Sequence, residues 1–261
     1  MNYSLIFNLK NTFLKNNFLK KISFILTSRH WLNVELKKAD LVIFFGGDGL
    51  LLENLNKIIA LNKNIKFLLI KMSKIAFYYQ FNFHDFENII DKYENNHLKI
   101  FKLPLLTITN NNKQFYALNE VKIVNLIKPI TFKINLNQKL LGTFKSSGLL
   151  ATSFYGASGF AKTFNGPLFL TKTNLLWALK IIFPVNNVGI YTINNFFIID
   201  SKQELTFEST SFQDFDLIFD NNFLKLNDNK IIINYHQKFI NLIVEEDFDL
   251  LTKYQNIYLN Q

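Results

Sequence analysis

Four short apolar runs stand in the first seventy positions: residues 3–9 (YSLIFNL), 22–27 (ISFILT), 40–45 (DLVIFF) and 65–70 (IKFLLI). Each is close to continuous rather than alternating, the pattern of a strand buried on both faces. Polar segments with helical spacing lie between them, at 11–20 and at 50–61, where Leu51, Leu52, Leu55, Ile58 and Ile59 fall on one stripe. A further helix is expected over 85–93. Strands alternating with helices predict βαβ units and a parallel sheet.

After Glu94-Asn95-Asn96-His97 the apolar period drops to two. Short alternating segments follow at 115–124, 131–136, 139–145, 188–193, 195–199, 204–209, 215–219, 223–226 and 230–234, punctuated by Asn, Gly and Asp. The expected architecture is therefore an N-terminal Rossmann-like parallel α/β domain, residues 1–97, followed by an antiparallel, β-sandwich-like domain, residues 98–238. The tail, 239–261, reads as a strand and helix returning to the first domain. Neither a repeat nor a low-complexity linker interrupts this plan.

Composition narrows the chemistry. At 261 residues with 49% hydrophobic positions the chain can fill sizeable cores. It has no cysteine, which excludes disulfides, thiolate metal sites and a cysteine nucleophile, and which fits a reducing, cytoplasmic setting. No apolar run approaches the length of a membrane span or a signal-peptide core, so neither a membrane nor export is expected. The 29 basic against 20 acidic residues leave a net charge of +9. Lys57, Lys63, Lys66, Lys71 and Lys74 are scattered singly rather than massed in a stripe, which argues against nucleic acid and leaves phosphorylated small molecules or a solvated basic surface.

Three of the 9 glycines crowd around one aspartate in Phe44-Phe45-Gly46-Gly47-Asp48-Gly49-Leu50. A strand ending at Phe45 delivers this turn to the carboxyl end of a parallel sheet, where open α/β folds bind ligands. Glycines there permit positive φ and let backbone N–H groups approach an anion, and a helix starting at Leu50 points its positive end at the same spot. A carboxylate beside phosphate is electrostatically costly unless it handles a metal or takes a proton from a hydroxyl nucleophile. The plainer alternative is that Asp48 caps the helix. The segment is neither a Walker loop nor the GxGxxG fingerprint.

GGDG after an apolar strand resembles the GGDGT signature shared by NAD kinases, diacylglycerol-type lipid kinases and 6-phosphofructokinases, which use it at a phosphoryl-transfer site. Leu50 replaces the usual Thr or Ser. Further along, Tyr116-Ala117-Leu118-Asn119-Glu120-Val121 resembles the NE motif of NAD kinases. A worn third block, Gly148-Leu149 through Gly156-Ala157-Ser158-Gly159-Phe160 and Asn165-Gly166-Pro167, is similar to that family's GDGL…STPTGSTAY…GGP block, with Ser146-Ser147 where the family has Gly-Asp. Residues 70–78 align with its GxNTGxLGF(Y) loop, keeping Phe77 and Tyr78, and Leu217-Ile218-Phe219-Asp220 resembles the strand before a DGQ-type turn. These landmarks, in order, cover residues 40–222, and NAD kinases carry that whole order.

The resemblance implies phosphoryl transfer from ATP to the 2′-hydroxyl of NAD's adenosine ribose. Asp48 would be the general base, and Gly46, Gly47 and Gly49 would present backbone donors to phosphate. Asp48 itself, Asn119 and Glu120 would hold NAD, in a pocket shaped by Phe77, Tyr78, Ser158, Phe160 and Ser147. Magnesium or another divalent ion would arrive with ATP, no metal site of the protein's own being expected, and Lys71, Lys74 and Lys145 are candidates to offset phosphate charge. A homodimer or homotetramer is implied. Two alternatives stay open: another GGDG-type kinase acting on a lipid or sugar, and a degenerate dinucleotide-binding protein without catalysis.

Overall fold

The computed structural model describes residues 1–7, 12–61, 64–72, 76–171, 175–186, 193–226, 228–249 and 252–253. The chain divides into two compact units, Met1–Leu103 together with Ile240–Gln261, and Pro104–Phe239.

The first unit holds strands β1 (Asn2–Phe7), β2 (Leu32–Asn33), β3 (Leu41–Gly46), β4 (Lys66–Lys71) and β5 (Phe81–Asn82), with helices α1 (Thr12–Thr27), α2 (Asp48–Leu61) and α3 (Phe86–Glu94). All these strands pair in parallel, in the order β2-β1-β3-β4, with β5 beside the end of β4. Leu41, Ile43 and Phe45 share one core with Ile22, Ile25 and Leu26 of α1 and Phe86, Ile89 and Ile90 of α3. Helix α2 buries Leu51, Leu52, Leu55, Ile58 and Ile59, the stripe expected from spacing. At about 1.5–3 kcal/mol per buried side chain, that face outweighs the weak helix preference of a segment opening on Asp-Gly. From β1 the chain steps to one side of the sheet and from β3 to the other. The carboxyl ends of β1 and β3 therefore form a topological switch point, where an open α/β sheet leaves a crevice.

One expected strand is wrong. Residues 22–27 continue α1 instead. Ile22, Ile25 and Leu26, spaced i, i+3, i+4, are buried while Phe24 is 75% exposed, so the run is one helical face rather than a two-sided strand.

Strand β6 (Leu98–Asn110) leads into the second unit, which is antiparallel throughout its described pairings: β7 (Lys113–Ala117), β8 (Glu120–Val124), β9 (Ile130–Leu136), β10 (Lys139–Thr152), β11 (Leu176–Pro184), β12 (Phe197–Asp200), β13 (Leu205–Glu208), β14 (Asp216–Phe219), β15 (Asn222–Lys225) and β16 (Lys230–Glu245). The predicted 115–124 strand splits in two at Leu118-Asn119, and 188–193 lies almost wholly outside the described residues. Strand β10 is the organiser. Its first half pairs with β9, its second half with β8 and β11. The changeover falls at Gly148, whose φ of +142° and whose Cα, so near the Ile123 carbonyl that an added Cβ would lie 2.0 Å from it, both require glycine. Ser146 braces the bend: its Oγ donates to the Gly148 carbonyl and accepts the Gly148 N–H, each at 3.0 Å. Trp177, Phe132, Phe207 and Phe215 fill the core between these strands.

Strand β16 begins beside β13, and its last part, in the first unit, pairs Asn241 and Leu242 in parallel with Lys66 and Phe67 of β4. The two halves of the fold are thus a parallel α/β unit and an antiparallel β-sandwich-like unit, as the sequence periods imply. No helix among the described residues is long and apolar enough to cross a membrane.

Candidate functional site

The residues singled out by sequence fall into two groups, one in each unit. In the first unit, β3 ends at Gly46 and α2 starts at Asp48, at the switch point. None of the three glycines here has a positive φ; among the described glycines only Gly148 does. Their expected torsional freedom is therefore not used. Gly46 lies close under Leu50: an added Cβ would meet Leu50 Cδ2 at 2.7 Å, so the end of that leucine would have to shift. The leucine standing where the resemblance puts a hydroxyl thus packs down over the turn. The Gly46 carbonyl accepts the Met72 N–H at 3.0 Å, and that of Gly47 accepts the Leu50 N–H at 3.0 Å, closing the first turn of α2.

The Asp48 carboxylate is held from across the sheet end. Its Oδ2 accepts the Phe77 N–H at 2.7 Å and its Oδ1 the Tyr78 N–H at 2.9 Å. Both donors are buried, and their rings meet edge to face at 5.1 Å. The parts played here by Phe77 and Tyr78 run through their amides. Each carboxylate oxygen retains a second lone pair, so an oriented acceptor is still presented. Burial pushes the Asp48 carboxyl above its ordinary range, against the pull of the two amides and of the Lys253 ammonium. A buried, oriented carboxylate of raised pKa is what a general base near neutral pH requires.

Sequence reasoning missed Lys253, an isolated lysine in the tail. Its Nζ donates to the Tyr79 carbonyl at 2.8 Å, one residue past the amides that hold Asp48. Of the other lysines considered, Lys71 acts electrostatically on Lys253, Lys145 is an exposed residue of the second unit, and Lys74 lies outside the described residues.

In the second unit, Leu118, Asn119 and Glu120 link β7 to β8. All three of their N–H groups point to one carboxylate, that of Asp220, at 2.7, 2.8 and 3.1 Å. Asp220 is 6% exposed and sits in a two-residue hairpin loop between β14 and β15 with φ of +47°, a conformation aspartate tolerates. Burial pushes its carboxyl up to about 7 in spite of the three donors. The turn that resembles the DGQ-type turn thus holds the link that resembles the NE motif.

On the other side of the same link, Ser153 donates its Oγ hydrogen to the Leu118 carbonyl at 2.6 Å and accepts the Gly156 N–H at 3.0 Å, while its own N–H meets the Asn119 carbonyl at 2.8 Å. Gly156 lies so close that an added Cβ would sit 2.0 Å from the Asn119 carbonyl oxygen. Gly156→Ala is expected to displace Asn119 and lower stability by about 1–3 kcal/mol, the usual range for overpacking; a thermal unfolding curve superimposable on wild type would contradict the fit described.

Glu120 is buried, 7% exposed, which a solvent-facing strand end would not be. Its Oε1 lies 3.5 Å from Lys122 Nζ, and its Oε2 has no hydrogen-bond partner among the described residues. Burial raises its carboxyl, with Lys122 pulling the other way. A buried carboxylate oxygen left unpaired is expensive and marks a place where a hydroxyl or amine of a ligand can donate. Gly159 packs beside it: a Cβ built there would touch that oxygen at 3.8 Å. Lys122 Nζ also lies 4.2 Å from the centre of the Phe160 ring, a cation–π contact that holds the partly exposed ring beside Glu120. Ser158 is buried and gives its hydroxyl hydrogen to the Tyr155 carbonyl at 3.3 Å. Ser147 is half-buried on β10, and its carbonyl accepts the Asn125 N–H at 2.8 Å.

Among the described residues no three His, Asp or Glu side chains cluster as a metal site.

No family model matches the chain. It is 23% identical over 170 residues to an NAD kinase 2 of Bacillus licheniformis, a stretch covering 65% of this chain and 64% of that protein. To an NAD kinase of Ureaplasma parvum it is 26% identical over 203 residues, covering 75% and 72%. In structure it is similar to an NAD kinase from Archaeoglobus fulgidus solved with ATP, with a TM-score of 0.76 and 14% identity over 99% of this chain and 97% of that one. It is also similar to a yeast NADH kinase solved with NADH, with a TM-score of 0.77 and 10% identity over 99% and 87%. The sequence likenesses and the shared two-unit fold agree with the order of motifs from Gly46 to Asp220. In sequence and in fold, then, the chain is similar to NAD kinases.

Proposed function

We propose that the protein phosphorylates NAD, transferring the terminal phosphoryl group of ATP to the 2′-hydroxyl of the adenosine ribose to give NADP and ADP. The observation that carries this reading is the Asp48 carboxylate, oriented by the Phe77 and Tyr78 amides at the switch point and raised in pKa by burial. Asp48 takes the proton of the 2′-hydroxyl as its oxygen forms a bond to the terminal phosphorus, and the bond to the bridging oxygen breaks with its electron pair leaving on ADP. Phosphate oxygens approach the start of α2, the positive end of the helix. Asn119 and Glu120 hold the dinucleotide, the amide reaching the base and the unpaired Glu120 Oε2 accepting from a hydroxyl. A divalent cation would come with ATP, bound chiefly through its phosphates, and would offset their charge.

The relatives' names support the substrates: the aligned proteins are NAD kinases, and the solved ones hold ATP or NADH. A cytoplasmic homo-oligomer remains part of the proposal. The test is NADP production from NAD, ATP and magnesium, read by a coupled assay. NAD bound without turnover would replace the proposal by a dinucleotide-binding role, and neither binding nor turnover would favour a lipid or sugar acceptor. Asn119→Ala is expected to raise KM for NAD by about tenfold, the worth of one good hydrogen bond, with an unchanged melting temperature; loss of fold instead would make Asn119 a structural residue.

A further inference from the structure

Around Asp48 the first unit gathers more charge than the proposed reaction has yet used. Asp249 caps the turn at the end of the described chain, its Oδ2 accepting the Thr252 N–H at 2.8 Å and the Thr252 hydroxyl at 2.7 Å, while its carbonyl accepts the Lys253 N–H at 3.1 Å. The segment before it is tied down within the same unit. Lys92 pairs with Glu245 at 3.0 Å, Lys99 Nζ donates to the Glu246 carbonyl, and Phe101 meets Phe248 edge to face. The lysine so delivered is buried enough that its ammonium is pushed down to about 8, first by desolvation and then by Lys71, against the attraction of Asp48. Burying a long cationic chain is costly unless a partner is gained. One N–H goes to the Tyr79 carbonyl. The groups that feel one another here are Asp48 from α2, Lys71 from β4, the buried Tyr79 hydroxyl, and Lys253.

We infer that Lys253 is a positioning residue for Asp48: by clasping the Tyr79 carbonyl it fixes the 77–79 backbone that orients the carboxylate, and its charge keeps that carboxylate ionised. The inference rests on the reading of Asp48 as the base.

Two variants separate the hydrogen bond from the charge. Lys253→Gln keeps a donor for the Tyr79 carbonyl but no charge, and Lys253→Arg keeps both. The pH profile of kcat/KM with NAD and ATP is measured for each, together with the carboxyl carbon resonance of Asp48, assigned by its loss in Asp48→Asn. Removing a neighbouring positive charge raises a carboxylate's pKa, typically by about one unit. For Lys253→Gln the acidic limb and the Asp48 titration midpoint should both move up by about one pH unit, activity below the limb falling about tenfold. Lys253→Arg should restore the wild-type limb and abolish any loss of activity near pH 8, because arginine stays charged. A Lys253→Gln profile that superimposes on wild type after scaling overturns the inference and leaves the base assignment standing. If wild type makes no NADP, the functional reading fails, and the Asp48 resonance still decides the matter: an unmoved midpoint rejects any coupling to Lys253, and an upward shift upholds it.

Discussion

Replacing Asp48 by asparagine is expected to lower kcat for NADP formation by about 10²–10⁴-fold, the range that positioned proton transfer contributes, or roughly 3–5 kcal/mol in activation free energy. The substitution keeps the shape and one acceptor oxygen, so either the Phe77 or the Tyr78 amide stays bonded while the other faces an NH₂. That donor-to-donor meeting costs about 1–3 kcal/mol of stability. Because asparagine keeps an acceptor oxygen in place, KM for NAD should stay within about threefold. Steady-state kinetics with a melting curve separate the two effects. Turnover within a few-fold of wild type would show that phosphoryl transfer needs no base here, or that the base lies elsewhere.

The largest effect on folding is expected from Asp220→Ala. It strips the acceptor from three amides at once, those of Leu118, Asn119 and Glu120, and each buried donor left unpaired costs about 1–3 kcal/mol. A loss of about 3 kcal/mol or more follows at pH 5. The sign of its pH dependence is set by the folded carboxyl titrating at about 7, above the unfolded value near 3.9. Between those two values the folded chain holds a proton that the unfolded chain has released. Wild-type stability from this group is therefore full at low pH and declines as pH rises through about 7, by at most about 1.4 kcal/mol per unit. The gap between wild type and Asp220→Ala should accordingly be wider at pH 5 than at pH 8 in denaturant titrations. A gap that widens toward pH 8 would mean that the three amides hold the carboxyl ionised.

The parallel half was readable because β3 and β4 are buried on both faces and α2 repeats leucine and isoleucine at helical spacing. The run at 22–27 misled for a physical reason: a helix that buries Ile22, Ile25 and Leu26 and also carries an exposed Phe24 looks locally like a strand. Strand β11, Leu176–Pro184, went unread because apolar residues there are not alternating and a proline closes it. In the site, Asp48 stood out through its glycines, although none of them takes a left-handed torsion and only Gly46 lies close against a neighbour. Glu120 could be named from the NE pair, but its burial and unpaired oxygen depend on Lys122, Gly159 and Phe160 packing around it. Lys253 carried no signal, being one of 29 basic residues and about two hundred positions from the carboxylate it faces.

The grip of Asp220 on residues 118–120 spans 102, 101 and 100 positions of chain. By contrast, β9 and β10 meet across Asn137-Gln138, two left-handed residues that make a hairpin from neighbours. Closing a loop of a hundred residues forfeits far more chain entropy than closing a hairpin, so nucleation belongs to the hairpin and the long clasp comes last. The 118–120 link is then a readout of completed folding: until residue 220 arrives, the amides of Leu118, Asn119 and Glu120 are left to water.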